Sequence, residues 1–198
     1  MSAKSQQNPW LHRFAVFTAL ATLFLIGMGG LVTSKGVGMA VPDWPNTFGY
    51  NMFLVPFDKW IGQYGVFEEH AHRLIASIVG LLTSILAVWL LAKESRIWVR
   101  LLGVGAFILV VIQGILGGLR VTEINPNLGL IHGTVAQLFL IVICGIALFT
   151  SSWWQRVSVT REQGVGFAKL KGSIVAVICL LFIQLLMGAT MRHQHAGL

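Results

Sequence analysis

The residues best equipped for chemistry stand together in "FEEHAHRLIASIVGLL", Phe67–Leu82. Glu68, Glu69, His70, His72 and Arg73 fall within six residues, and the chain then turns apolar without a break. Carboxylates move protons, imidazoles move protons or ligate metals, and guanidinium forks pair with anions. Glu69 precedes His72 by three residues, so on a helix the two share a face one turn apart. On the same helix Glu68 and His70 point to either side of Glu69, which predicts that both are solvated. A second histidine, His132, sits in "NPNLGLIHGTVAQLFL". Zinc is not the expected metal. "EEHAH" contains neither H-E-x-x-H nor H-x-x-E-H, since Val66 stands where the latter needs its first histidine.

The elements that must position these groups follow from composition. Hydrophobic residues are 56% of the 198 and charged residues 11%, with a mean hydropathy of +0.77. A soluble domain carries roughly 25% charged residues, so this chain cannot cover a globular surface with polar groups. Five apolar runs reach the roughly 20 residues that a helix needs to cross hydrocarbon: 14–33, 67–92, 97–119, 128–150 and 172–191. They are continuous rather than alternating, which predicts helices and excludes a barrel. The expected fold class is therefore all-α, a polytopic membrane helical bundle in contact with the lipid bilayer. The first run has no small-residue cleavage site after it, so it reads as a span and not a signal peptide.

Basic residues set the orientation. Nine of the 14 fall on the side of the N-terminus and five on the other. The positive-inside rule then places the N-terminus in the cytoplasm and residues 34–66 outside. The net charge of +7 is mostly this bias, so no nucleic-acid partner is expected. The external loop carries "PDWPNTFGYNMFLVPFDKW", whose aromatics suit either a membrane-lying segment or a lid over a site. Cys144 and Cys179 fall inside spans and read as small core residues.

His72 lies about five residues into the second span and His132 about four into the fourth. At about 1.5 Å per residue, both sit roughly 6–8 Å below the outer boundary. Alternate spans run parallel, so the two imidazoles can face each other across the bundle and hold a haem between them. Ionisable groups within a membrane are costly, and they mark functional sites by default. Small residues surround both: Ala76, Gly80 and Thr83 below His72, Gly129, Gly133 and Ala136 around His132, and Gly114, Gly117 and Gly118 on the third span. Simple helix packing would use the same glycines. Arg73 at the rim suits an acidic group such as a haem propionate.

The chain also repeats itself. "GGLVTSKGVGM", Gly29–Met39, and "GATMRHQHAGL", Gly188–Leu198, close the first and fifth spans. This predicts an N-terminal four-helix transmembrane half over 1–155, a cytoplasmic linker over 156–171, and the first helix of a truncated second half over 172–198. His193 and His195, in the exit loop, are poor candidates for a second histidine pair.

With these marks in hand, the sequence resembles the haem A synthase family of cytochrome oxidase assembly proteins. The likeness rests on "GGLVTSKGVGMAVPDWP", "EEHAHRLIASIVG", "GILGGLRV" and "LGLIHGTVAQ". It implies an oxidoreductase that converts haem O, its substrate, to haem A by oxidising a ring methyl to a formyl group, with haem b as cofactor. It further implies His72 and His132 as axial iron ligands of the substrate haem, Arg73 as a haem contact and Glu69 as the assisting acid. The implied partners are a C-terminal half with its own histidine pair and the farnesyltransferase that makes haem O; the implied location is the inner (cytoplasmic) membrane. Many members carry cysteines flanking P-D-W-P in the first external loop. Val41 and Asn46 stand there instead, so no thiol acts in this loop. An electron-carrying b-type cytochrome would need the same histidine pair but not Glu69. In a non-haem assembly or scaffold protein the histidines would merely cap and pack.

Overall fold

The structure is a computed structural model describing residues 8–156 together with 172, 175, 177–180, 183–185, 187–188 and 190–191. Four long helices carry the fold: α1 (Pro9–Ser34), α2 (Val66–Lys93), α3 (Ile97–Thr122) and α4 (Pro126–Thr150). Each is long and apolar enough to cross a membrane, and the chain is an all-α, multi-pass membrane protein. The helices begin where local chemistry starts them. Asn8 accepts hydrogen bonds from the amides of Trp10 and Leu11 at 3.1 Å, and Pro9 opens the helix without a donor to waste. Asn125 and Pro126 repeat the device at α4, with Asn127 N donating at 3.0 Å. α1 and α4 start before their expected apolar runs, because these caps lie beyond the hydrophobic segment; α2 and α3 run slightly past theirs.

Short connections at 94–96 and 123–125 make α2, α3 and α4 antiparallel neighbours. α4 closes the ring against α1, which leaves α2 diagonally opposite α4. At the end bearing the 94–96 turn, His12 Nδ1 donates to Ala147 O at 3.0 Å. There too Arg96 pairs with Glu94 at 2.8 Å and donates to Phe149 O at 2.9 Å. The half of the bundle at this end is filled by Leu11, Ala15, Leu86, Leu90, Val99, Ala106, Phe139, Ile143 and Ile146. With lipid outside, such contacts hold helices together by close fit rather than by escape from water.

The long connection from α1 to α2 folds back on the opposite end, hereafter the loop end. It contains a two-residue hairpin, β1 (Asn46–Thr47) against β2 (Tyr50–Asn51), and one turn of 3-10 helix at Phe57–Lys59. Gly65 leads into α2 at φ +81°, a conformation L side chains avoid, and a Cβ there would lie 3.0 Å from Val37. Residues 41–46 of this loop pack onto α2, while Phe53, Leu54, Phe57 and Tyr64 stay exposed.

A separate compact unit comprises Ser152–Leu198, beginning with α5 (Ser152–Arg156). The described residues of the fifth expected span, between Gly172 and Met191, are helical. The linker beyond Arg156, His193, His195 and the end of the second repeat copy lie outside the described residues. One expectation is corrected. Cys144 and Cys179 are free and exposed, so neither is a core residue: Cys144 falls between the inward Ile143 and Ile146 on α4 and takes the outward face.

Candidate functional site

The loop end holds every singled-out polar residue of α2 and α4. Glu69 is 4% exposed. Its Oε2 accepts from Val41 N at 2.9 Å, and its Oε1 pairs with Arg73 Nη2 at 2.6 Å. The Arg73 fork then reaches into the loop: Nη1 donates to Asp43 O at 2.6 Å and Asn46 O at 3.1 Å, and Nη2 to Val41 O at 2.9 Å. Arg73 and Glu69 together thus strap residues 41–46 to the mouth of α2. Burial raises the cost of charging Asp43, but hydrogen bonds from the amides of Gly49 and Phe48 and the Arg73 charge outweigh it, holding that carboxyl below its ordinary range.

Two neighbours contradict the sequence reading. Glu68 and His70 were expected in solvent, yet they are 8% and 1% exposed. The loop accounts for both. Glu68 accepts from Gly65 N at 2.9 Å and pairs with Lys35. That hydrogen bond raises the Lys35 ammonium above its ordinary value. His70 Nδ1 shares a hydrogen bond with Thr47 Oγ1 at 3.2 Å, and its ring lies 4.8 Å from that of Trp60. A helix wheel gives the direction of a side chain, not what covers it.

His72 and His132 differ from all of these. Each ring has a buried Nδ1 with no hydrogen-bond partner. The His72 ring lies within electrostatic reach of His132, Arg120 and Arg73, so diagonal helices bring the two histidines to one region. The glycines that frame them come from α1 and α3. A Cβ on Gly29 would lie 3.1 Å from His72 Cε1, and one on Gly117 would lie 3.4 Å from His132 Cε1. Gln113, one turn before Gly117, donates from Nε2 to His132 O at 3.1 Å. Gly118 carries the loop: a Cβ there would meet the Trp44 ring at 2.4 Å. Gly129 is buried, whereas Gly114 and Gly133 face outward.

Three contributors escaped the sequence reading. Gly29 and Arg120 stand in the sequence only as parts of longer stretches, and Gln113 does not stand out by itself. The i, i+4, i+7 spacing of Gln113, Gly117 and Arg120 on one α3 face was the available signal.

A diagonal histidine pair beneath a folded loop, in a four-helix bundle, can be compared with known proteins. A family model described as cytochrome oxidase assembly protein matches residues 12–198. The chain belongs to the cytochrome oxidase assembly protein family. Relatives of this chain include haem A synthases from three bacteria. That of Shouchella clausii is 28% identical over 193 residues, covering 95% of this chain and 61% of the relative. That of Exiguobacterium sp. is 27% identical over 188 residues, 92% of this chain and 58% of the relative. That of Geobacillus kaustophilus is 26% identical over 194 residues, 95% and 58%. The chain thus spans about three fifths of the length of these curated relatives. No solved structure matches it.

Proposed function

We propose that this chain is a haem A synthase-like membrane oxidoreductase acting on haem O at the loop end of the bundle, oxidising a ring methyl to a formyl group. The observation that carries the reading is the pair of half-buried imidazoles whose buried Nδ1 atoms have no partner. A membrane protein does not leave such groups unsatisfied without use. Among the described residues no three His, Cys, Asp or Glu side chains converge as a metal site. Two imidazoles alone can therefore hold a metal only where it brings its remaining ligands with it, as iron does in a porphyrin. The missing side chains at Gly29 and Gly117 make room for the two rings against α1 and α3, which supports a flat group between them. His72 and His132 would be its axial ligands, with haem O as substrate and haem b as the family's cofactor.

The bound haem supplies the redox chemistry, and the protein supplies ligation, orientation and local charge. Glu69 stands one turn from His72 with one recorded partner on each oxygen, so roughly half of its lone-pair sites remain to accept a proton or stabilise positive charge. Arg73 holds that carboxylate and the loop in place, and so orients the haem edge indirectly. We read 1–155 as the haem-binding half, 156–171 as a cytoplasmic linker and 172–198 as the start of a second half related by the repeat. The N-terminus faces the cytoplasm, the membrane is the inner one, and haem O arrives from its farnesyltransferase.

Haem extracted after expression beside a haem O source tests this. A formyl-bearing haem is expected from the parent chain. Glu69→Ala should retain bound haem while formyl haem falls at least tenfold. Unchanged haem from the parent chain would instead mark an electron carrier, and normal formyl yield from Glu69→Ala would remove that residue's role.

A further inference from the structure

Among the described residues, the charged groups packed beneath the loop each have a partner, save one. Glu68 pairs with Lys35, Glu69 with Arg73, and Asp43 takes the amides of Phe48 and Gly49. Arg120 is left over. It sits in the last turn of α3, its Nε is buried without a hydrogen-bond partner, and among the described residues it joins no ion pair. Glu123, three residues on, is exposed and does not pair with it. A guanidinium whose buried Nε has no partner, and which lacks a counter-charge, costs free energy that something must offset. The favourable field at a helix C-terminus offsets only part of it.

Its position says what does. Arg120 lies one turn beyond Gly117, whose missing Cβ leaves room for His132, and within electrostatic reach of both His72 and His132. The loop presses it inward: a Cβ on Gly38 would lie 2.7 Å from Nη2. Arg73, the other guanidinium nearby, already spends its fork on three carbonyls and Glu69.

We propose that Arg120 is the anchor for a carboxylate of the group held between His72 and His132, binding a haem propionate in place of the acidic partner the protein does not provide. This rests on the haem reading above and adds to it a second point of attachment, which would fix how the porphyrin is turned about the iron–histidine axis. Arg73 then serves the loop, not the propionate.

The test compares haem b with its dimethyl ester, which keeps iron and ring but has no carboxylates. Each is titrated into the full chain, prepared without haem supplementation, and the low-spin Soret band is followed. The parent chain should bind the free acid at least about tenfold more tightly than the ester, as a charge-assisted hydrogen bond implies. Arg120→Gln should bring the two within about twofold by weakening the acid alone. Arg120→Lys, which keeps the charge but not the fork, should lower the ratio partway and decides the matter if the glutamine variant does not fold. A purely structural arginine would leave the ratio unchanged in both variants, and that result overturns the proposal, as does equal binding of acid and ester by the parent chain. No low-spin band with either porphyrin would sink the histidine-pair reading itself.

Discussion

The two halves of this bundle are built from the same four helices and solve opposite problems. Toward the 94–96 turn, Leu86, Leu90, Ile143 and Ile146 fill the interior and are at most 1% exposed. Toward the loop, the positions facing inward are Gly29, His72, Gln113, Gly117 and His132, and the closure comes from residues 37–55 folded over the top. The first half is complete by itself. The second has unpartnered imidazole nitrogens and an unpartnered arginine Nε. A bundle that needed only to be stable would extend the leucine and isoleucine layers to both ends. This one stops them midway, and the contrast teaches that the loop half is shaped for something other than itself.

Breaking the comparison from the full side should have the largest effect on stability. Leu86→Ala or Ile143→Ala removes most of a buried side chain and should destabilise the bundle by about 2–5 kcal/mol. Measured by reversible unfolding in mixed micelles, either variant should leave haem affinity within about twofold. A large loss of haem binding would mean that the halves are not separable.

How far the sequence foretells this arrangement differs between the halves in the same way. The four spans and the similar distances of His72 and His132 from the starts of α2 and α4 were legible because they depend on hydrophobic run length and helical period alone. The fates of Glu68 and His70 were not, because they depend on a loop that returns from another part of the chain. Arg73 likewise reads as a rim cation until the carbonyls of Val41, Asp43 and Asn46 are seen to surround it. Cys144 was misplaced for a different reason: in lipid the outward face of α4 is as apolar as the inward one, so period alone does not separate them.

The loop's closure can be sharpened next. Gly118→Ala would put a methyl group 2.4 Å from the Trp44 ring, and the ring must move. We expect a cost of about 1–3 kcal/mol, seen as faster proteolysis within residues 41–60 while the opposite half stays protected. Unaltered cleavage would mean that Trp44 does not hold the loop.

The smallest effect is a pH dependence confined to the loop. The Asp43 carboxyl is held below its ordinary value, so its contribution is present above the unfolded-state value of about 3.9. It is lost as pH falls through the lower folded value. Hydrogen exchange at the amides of Phe48 and Gly49, corrected for intrinsic rate, should quicken in that range. Asp43→Asn should make it pH-independent. Equal acid sensitivity in the variant would assign the effect elsewhere.

The central claim is that His72 and His132 grip one iron from opposite sides. Electron paramagnetic resonance of the haem-loaded chain tests it most directly. The parent chain should give a six-coordinate low-spin ferric signal, and His72→Ala and His132→Ala should each convert it to high spin or lose the haem. If both variants keep the parent signal, the iron is held elsewhere and the account is wrong.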